Sequence, residues 1–488
     1  MSESTAVTDV ELQTQLFIDG EFVDSAEGTT FEVENPADER TLAEVAEAKE
    51  ADVDRAVQAA RRAFQSDEWQ RMAARERGRL LWRLADLLED RIDEVARIET
   101  LNNGKPYFES RQVDLPLVVE VLRYYAGWAD KIQGETIPVA GPIFNYTRRE
   151  PLGVVGAIVP WNFPLLLAMW KVAPALACGN TVVLKPSAET PLSALKLAEL
   201  AAEVGFPAGA LNVVSGFGSV AGAALVRHPD VDKIAFTGST EVGRQLMREA
   251  ASTLKQISLE LGGKSPNIVF ADADLDAASR GVSTGIFYGK GEVCAAGSRL
   301  FVDAKIHDEL LEKVVDRAKK MTPGDPFDRK TRLGPLVSKT QMERVLGYVE
   351  KGVAEGAELV TGGVRVDRPG YFVEAAVFDK VTADMTIAQE EIFGPVLATL
   401  TFEDEDEAIA LANQTIYGLA AGVWTTDLKR AHRVAHGLQA GTVWVNTYNR
   451  YDPTSPFGGY KYSGFGRDLG MHALELYTQV KSIWIDLS

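Results

Sequence analysis

Short apolar runs alternate with amphipathic segments through the middle of the chain. Four runs of strand length are each followed by turn residues and then by apolar positions at helical spacing. Strands alternating with helices of this length predict βαβ units and a parallel sheet, whose ligands bind at the carboxyl ends of the strands. The predicted strands are 154–159, 181–184, 211–214 and 233–236, and the predicted helices are 164–178, 191–204, 219–228 and 240–252.

A second region with the same alternation begins near residue 267, and it predicts a second α/β domain. Nearer the start, apolar residues at helical spacing predict two long helices, one through Val53–Phe64 and one through Leu80–Ile98. Residues 480–487 predict a final strand without a partner of its own, which suggests pairing elsewhere, for example in another subunit. In the second region we expect strands at 267–270, 299–302, 422–425 and 442–445, and helices at 274–288, 305–320, 339–354, 404–412 and 427–437.

The composition excludes several classes of protein. The 488 residues are 46% hydrophobic and 25% charged, which is typical of a globular chain. The net charge of −19 disfavours nucleic acid and anionic membrane surfaces as partners. With neither a signal peptide nor a membrane-spanning apolar stretch in the sequence, we expect a cytoplasmic protein. Two cysteines and no metal-binding motif indicate a reducing compartment and no metal site.

Cys294 is the residue with the clearest potential for covalent chemistry. Its neighbours are glycine and alanine, so little side-chain bulk shields the sulfur from a substrate. Taken alone, a free cysteine is more often a small buried apolar residue. Cys178 lies at the end of an apolar helix, and for it we expect that structural role.

Two polar residues at strand ends could assist such a nucleophile. Glu260 lies on the opposite strand face from Leu259 and Leu261, where burial would raise its pKa and make it a poised base. Asn162 follows the strand 154–159, and its side-chain N–H could stabilise a developing oxyanion. Each has an ordinary alternative, namely an exposed glutamate and a turn residue.

Two glycine-rich turns join strands to helices and could bind a phosphate. Gly238 and Ser239, which follow Phe236, would place free backbone N–H groups at a helix N-terminus, and Gly218 lies in a similar turn. Neither turn matches GxGxxG, so each is weak evidence by itself. Lys185 follows the strand 181–184 and could contact a ribose or phosphate, or remain a solvated lysine.

Most of these residues belong to seven motifs, and through the order and spacing of these motifs the chain resembles the aldehyde dehydrogenase superfamily over nearly its whole length. Residues 124–131 add a likeness to the non-acylating members. The motifs are Pro160-Trp-Asn-Phe-Pro164, Leu184-Lys-Pro-Ser187, Phe236-Thr-Gly-Ser-Thr240, Leu259-Glu-Leu-Gly-Gly-Lys264, Gly291-Glu-Val-Cys294, Glu391-Ile-Phe-Gly-Pro395 and Pro456-Phe-Gly-Gly-Tyr-Lys461.

The resemblance implies an α/β fold with two Rossmann-like doubly wound domains, one for the cofactor and one for catalysis, plus a small β oligomerisation arm. It implies a homodimer or a homotetramer, and the sequence does not choose between them. The expected divisions are 1–127 with 150–261 for the NAD(P)-binding domain, 262–470 for the catalytic domain, and 128–149 with 471–488 for the arm.

The resemblance also implies a mechanism. Cys294 attacks the aldehyde carbon as a thiolate, and the Asn162 amide and the Cys294 backbone N–H hold the oxyanion. Hydride passes to the nicotinamide, and Glu260 activates the water that hydrolyses the thioester to a carboxylic acid. Lys171 and Asp468 match a proton-relay pair of some members, in which the usual acid is glutamate.

For the cofactor, NAD or NADP, the sequence carries a further signal. NAD-selective members often place a glutamate three residues after the lysine that matches Lys185, but this chain has Ala188 there and the acid one residue later, at Glu189. Without a carboxylate to repel a 2′-phosphate, we predict that NADP is accepted. Residues matching cofactor-binding positions are Trp161, Lys185, Ser187, Ala188, Gly218, Phe236, Gly238, Ser239, Leu261, Glu391 and Phe393.

The substrate is expected to be a small-molecule aldehyde. Phe163, Trp170 and Phe457 match positions of the family's substrate tunnel, and three aromatic rings favour uncharged aliphatic or aromatic aldehydes. No arginine stands at these positions to bind a second carboxylate. Many members have Asn-Gln where this chain has Gly289 and Lys290. Because Lys290 is a cation, it keeps a carboxylate-bearing aldehyde possible as substrate.

Two alternatives stay open, a coenzyme A-acylating enzyme and a binding or structural protein on a retired enzyme scaffold. Acylating relatives typically lack the glutamate at position 260, so Glu260 favours hydrolysis. The intact set of Cys294, Glu260 and Asn162 favours catalysis over a retired scaffold.

Overall fold

An eight-stranded sheet organises the first half of the protein in a computed structural model, which describes residues 10–488. Its five central strands are parallel, as the alternating pattern predicts, and antiparallel strands complete both edges. The order across the sheet is Gly464–Phe465, Gln256–Glu260, Lys233–Thr237, Val154–Ile158, Thr181–Lys185, Leu211–Val213, Leu16–Ile18 and Glu21–Val23.

The helices of this half pack on the sheet and on one another. The single long helix predicted through Leu80–Ile98 is wrong, because the backbone of Arg91 leaves the helical region at φ −104° and ψ 19°. The apolar spacing continues across this break, so periodicity alone does not reveal it. The main helices are Glu50–Gln65, Ala74–Asp90, Ile92–Asn103, Leu115–Trp128, Pro164–Ala177, Leu192–Glu203, Ala223–Arg227 and Thr240–Ala250.

A second sheet of seven strands organises the rest of the chain and confirms the second α/β unit. All of its pairs are parallel except the one at the edge formed by Glu358–Thr361. The order is Glu358–Thr361, Ala376–Asp379, Val396–Phe402, Arg299–Asp303, Pro266–Val269, Ala420–Trp424 and Thr442–Val445, of which the first three were not predicted. Its main helices are Leu275–Phe287, His307–Lys320, Lys339–Ala354, Glu405–Asn413 and Leu428–Gly437.

A three-stranded antiparallel sheet contains the end of the chain. Thr478–Asp486 pairs along its whole length with Ile143–Pro151, and Thr136–Ile137 pairs with the other edge of that strand. The prediction that the final strand lacks a partner in its own chain is therefore wrong. Its partner was missed because much of Ile143–Pro151 is polar or half-exposed and carries no apolar alternation.

The order of the first sheet sets the position of a binding site. Strands that follow Val154–Ile158 in the chain extend the sheet first to one side and then, from Lys233–Thr237, to the other. The carboxyl ends of parallel strands at such a switch point form a crevice for ligands. Gly464–Phe465 pairs with Leu259 and Glu260, which brings residues 457–468 to the same edge. Within residues 10–488, no helix is long and apolar enough to cross a membrane.

Candidate active site

Cys294 lies at the wall of a cavity of about 670 Å³. It is half-buried, whereas Cys178 is buried. A Cβ atom at Gly263 would lie 2.4 Å from the Cys294 carbonyl oxygen, so glycine is required for this close approach. Burial and the carboxylates of Glu391 and Glu260 raise the pKa of the Cys294 thiol to about 12. The thiol is therefore protonated near neutral pH, and its attack on a substrate requires a proton acceptor.

The loop before Cys294 has an unusual backbone. Gly289, Lys290 and Gly291 have φ values of +56°, +65° and +72°, which are left-handed conformations. A Cβ atom at Gly291 would lie 2.2 Å from the Gly394 carbonyl oxygen. Both glycines are explained by these constraints, whereas a lysine with positive φ is uncommon and needs compensating interactions.

Lys290 has such interactions in the protein interior. Its Nζ donates to the Asn103 carbonyl oxygen at 2.7 Å and to Asn103 Oδ1 at 2.9 Å, and it forms an ion pair with Glu292 at 2.8 Å. Asn103 Nδ2 donates to the Trp161 carbonyl oxygen at 2.7 Å. Lys290 thereby connects the cysteine loop to the loop that contains Asn162. Because its ammonium is occupied by these partners, it is not the group that would bind a substrate carboxylate.

Asn162 is held against the cysteine loop. Its Nδ2 donates to the Glu292 carbonyl oxygen at 2.9 Å, and the side chain is 3% exposed. An amide nitrogen carries two hydrogens, so one remains for an oxyanion on a substrate attached to Cys294. The position that the sequence predicts for Asn162, after the strand Val154–Ile158, is the observed one.

Glu260 ends its strand with its side chain buried. Burial and the nearby Asp468 carboxylate raise the pKa of Glu260 well above its ordinary value. A Cβ atom at Gly458 would lie 2.6 Å from Glu260 Oε1, so a glycine is needed beside it. Within the described residues, Glu260 Oε2 has no hydrogen-bond partner. A buried carboxylate with a raised pKa and a free oxygen has the properties of a general base.

Lys171 and Asp468 form a buried ion pair, with Nζ and Oδ2 2.8 Å apart. Aspartate is shorter than the glutamate usual at this position, yet here it reaches the lysine. Both charges act on Glu260, with Asp468 raising its pKa and Lys171 lowering it. The structure thus groups the predicted base with the predicted relay pair.

Glu391 and Phe393 face the same crevice from the second sheet's side. Glu391 Oε1 accepts a hydrogen bond from the Gly263 backbone at 3.0 Å, and a Cβ atom at Gly262 would lie 2.1 Å from Oε2. Burial raises the pKa of Glu391 to about 7. The Phe393 ring meets Trp161 edge-on, with centroids 5.1 Å apart.

The other predicted cofactor residues lie at or after the carboxyl ends of the five parallel strands. Gly218 opens a helical turn beside free space, since no atom lies within 4 Å of a Cβ placed there. Ser239 caps the helix Thr240–Ala250, with its Oγ 3.3 Å from the Val242 nitrogen. The helical turn that begins at Gly218 lies beside buried Lys185, since a Cβ atom at Gly222 would lie 3.9 Å from Lys185 Cδ. Its open N-terminus fits the phosphates of a dinucleotide. The remaining members of the set, placed on the same edge, are Trp161, Ser187, Ala188, Phe236, Gly238 and Leu261.

The three predicted tunnel aromatics, Phe163, Trp170 and Phe457, all line the cavity at Cys294. Trp170 meets Phe457 edge-on at 5.4 Å between centroids. Sequence reasoning missed Tyr288, which stacks on Phe163 at 6.1 Å, and Tyr451, which packs on Phe457 at 5.6 Å. The sequence signal that could have identified Tyr288 is its position at the start of the loop before Cys294.

Comparisons with known proteins agree with this arrangement. A sequence model of the aldehyde dehydrogenase family matches residues 22–483. Human retinal dehydrogenase 2 is 52% identical over 477 residues, covering 97% of this chain and 92% of its own. Human mitochondrial aldehyde dehydrogenase is 52% identical over 474 residues, covering 96% and 92%. The NAD+ complex of a Bacillus cereus aldehyde dehydrogenase superposes with a TM-score of 0.97 at 51% identity, covering 100% of this chain and 99% of its own.

The fold and these relatives define an oxidoreductase that uses NAD(P). The chain belongs to the aldehyde dehydrogenase family. The two-domain Rossmann-like fold with a small antiparallel sheet is thereby confirmed. The relatives lend no support to a coenzyme A-acylating enzyme or to a retired scaffold.

Replacing Lys290 with methionine is expected to destabilise the protein by about 3 kcal/mol and to lower kcat. The change leaves the buried Glu292 carboxylate without its counter-ion. It also removes the connection between the loop of Cys294 and the loop of Asn162. The double variant Lys290→Met with Glu292→Gln is the matched control, because it removes both charges. Thermal unfolding should show partial recovery in the double variant, and an unperturbed single variant would contradict this role.

Proposed function

We propose that the protein oxidises an aldehyde to a carboxylic acid through a covalent bond between Cys294 and the substrate, with Glu260 as the base for hydrolysis. One observation carries the proposal. A half-exposed cysteine lies at the wall of an aromatic cavity, on a loop held by a buried asparagine amide. No other cysteine of the chain borders this cavity, because Cys178 is buried elsewhere.

In the first step the Cys294 thiol loses its proton and the sulfur bonds to the aldehyde carbon. Cys294 is only half-buried, so solvent can take this proton, and Glu260 is left for the hydrolysis step. The carbonyl oxygen becomes an oxyanion, stabilised by the free N–H of Asn162 and by the Cys294 backbone N–H. The Asn162 amide is already held by its hydrogen bond to the Glu292 carbonyl oxygen, so it does not have to reorganise as the negative charge develops.

In the second step the aldehyde carbon loses hydride and a thioester forms on Cys294. Bound NAD(P)+ supplies the hydride acceptor. Glu260 then takes a proton from water, whose oxygen bonds to the acyl carbon as the C–S bond breaks. The carboxylic acid leaves, and the Cys294 thiolate takes up a proton from solvent to return to a thiol. The Asp468 carboxylate, which is paired with Lys171, lies beside Glu260 to accept the water proton from it.

The test is the stoichiometry of the reaction with a simple alkanal and NAD+. The proposal expects one carboxylic acid for each reduced cofactor, in the absence of coenzyme A. Alkylation of Cys294 should abolish both products together. Reduction of the cofactor that requires coenzyme A, or no reduction at all, would contradict the proposed function.

The NADP prediction rests on the surroundings of Lys185. Its Nζ donates to the Pro186 carbonyl oxygen at 2.8 Å, and burial lowers its pKa to about 8. Glu189 is exposed and accepts the hydroxyl hydrogen of Ser187. We expect the native protein to use NADP as well as NAD, because no carboxylate stands at position 188.

Replacing Ala188 with glutamate should lower the ratio of kcat/KM for NADP to that for NAD by about tenfold or more. The new carboxylate repels a 2′-phosphate and accepts hydrogen bonds from a free ribose. Ala188→Gln is the matched control, since it adds the same bulk without charge. An unchanged ratio in Ala188→Glu would show that residue 188 does not discriminate.

For the assembly we propose a homodimer or homotetramer built through residues 128–149 and 471–488, the arm. The domain division 1–127 with 150–261 and 262–470 is part of the same proposal. Its support is a set of exposed apolar side chains on the antiparallel sheet, namely Phe144, Val480, Trp484, Ile485 and Leu487. Light scattering at micromolar concentration should give a multiple of 53.1 kDa, and a monomer mass would contradict the proposal.

A further inference from the structure

Three arginines from separate parts of the chain line the cavity that contains Cys294. Arg280 lies on the helix Leu275–Phe287, Arg332 precedes the turn at Gly334, and Arg450 follows the strand Thr442–Val445. All three are exposed, whereas the aromatic residues at Cys294 are buried. The arginines therefore lie where the cavity wall is open to solvent, at its entrance, and the apolar wall lies inside.

These guanidinium groups lack an acidic partner at ion-pair distance in the described chain. Within residues 10–488, none of the three forms an ion pair, although many other arginines of the chain do. Arg332 Nη1 donates only to the carbonyl oxygens of Arg329 and Thr331. Asp276, one turn before Arg280 on its helix, pairs with Lys313 at 2.8 Å, and the Arg280 charge adds a smaller lowering of the Asp276 pKa.

The acidic residues of the cavity wall do not cancel this charge either. Asp114 is buried and pairs with Lys105 at 2.6 Å. Glu109 is buried, and burial raises its pKa to about 8, so it is mostly protonated at pH 7. On a chain of net charge −19, the entrance to this cavity is thus a local positive site.

The interior of the cavity has the opposite character. Phe163, Trp170 and Phe457 line it near Cys294, and Leu117 and Val113 extend the apolar wall toward the exposed side. A substrate that fits both regions places an aldehyde at Cys294, an apolar chain along the wall and an anion at the entrance. Arginine forks bind carboxylates with paired hydrogen bonds, which a hydroxyl or methyl end cannot form.

We propose that the preferred substrates are aldehydes whose apolar chain ends in a carboxylate remote from the carbonyl. The inference rests on the proposed function and narrows it. It also revises the expectation of uncharged aldehydes. That expectation considered only the tunnel positions Phe163, Trp170 and Phe457, and the three arginines stand at other positions. Positive charge at an open entrance acts by steering and by weak, exposed ion pairs, so the preference should appear mainly in KM.

The experiment compares two aldehydes of equal carbon number with NAD+, an n-alkanal and the corresponding ω-oxo carboxylate. We expect kcat/KM to be about tenfold higher for the carboxylate, with similar kcat values. The variant Arg280→Gln, Arg332→Gln and Arg450→Gln combined should lose most of this preference. Arg83→Gln is the matched control, since Arg83 is exposed, has no ion pair in the described chain and lies outside the cavity wall.

Each outcome separates the inference from the proposed function. Equal or better use of the alkanal by the native protein would overturn the inference and leave aldehyde oxidation intact. A carboxylate preference that persists in the triple variant would overturn the role of the arginines. Oxidation of neither aldehyde would refute the proposed function, and the inference with it. Equal losses in the triple variant and in Arg83→Gln would also overturn the assignment to the entrance.

Discussion

Replacing Cys294 with alanine is expected to lower kcat for aldehyde oxidation by about four orders of magnitude or more. The substitution removes the only thiol among the residues that line the cavity, so no covalent intermediate forms. Cys294 is half-buried and its removal leaves the Asn162–Glu292 contact in place, so the fold should persist. Steady-state rates and thermal unfolding of the purified variant check both parts of the prediction.

Cys178 supplies the matched control for this result. It is the other cysteine of the chain, and burial raises its pKa to about 12. Cys178→Ala should retain the kcat of the native protein and lose some stability, because it leaves a small cavity in a packed helix. Equal loss of activity in the two variants would contradict a special role for Cys294.

Replacing Glu260 with glutamine should separate the two halves of the reaction. Hydride transfer needs no water, whereas hydrolysis of the thioester needs a base. We expect a rapid burst of about one reduced cofactor per active site, followed by turnover at least about a hundredfold slower than native. Stopped-flow kinetics would show the burst. Normal steady-state turnover would mean that another group is the base.

The raised pKa of Glu260 adds a dependence on pH. Only the ionised carboxylate accepts a proton, and burial and the Asp468 charge keep it protonated to higher pH than an ordinary glutamate. In the native protein, turnover limited by hydrolysis should therefore rise with pH in a range above the ordinary pKa of a glutamate. In Glu260→Gln the slow turnover should lack this rise.

Much of the fold could be predicted because its signals are local. Apolar runs followed by helical spacing identified four of the five parallel strands at the centre of the first sheet and the helices between them, and the alternation around Leu259 and Leu261 identified the fifth. The kink at Arg91 was missed because a break in backbone angles leaves the apolar period intact. The pairing of Thr478–Asp486 was missed because strand partners far apart in sequence share no local pattern.

For the candidate site too, residues in local motifs could be predicted, whereas contacts between distant segments could not. Cys294, Glu260 and Asn162 stand in motifs, so the sequence could place them together. The sequence could not reveal what Lys290 contacts, since Asn103 lies far from it in the chain. The arginines at the cavity entrance belong to three unrelated segments, and only the folded chain brings them to one opening.

The central claim is that the acyl group is carried on Cys294 and released with Glu260. The most direct measurement is mass spectrometry of Glu260→Gln quenched after incubation with an aldehyde and NAD+. The account predicts that the peptide containing Cys294 gains the mass of the aldehyde less two hydrogen atoms, as a thioester requires. An unmodified Cys294 peptide after a full burst, or an acyl group on another residue, would contradict it.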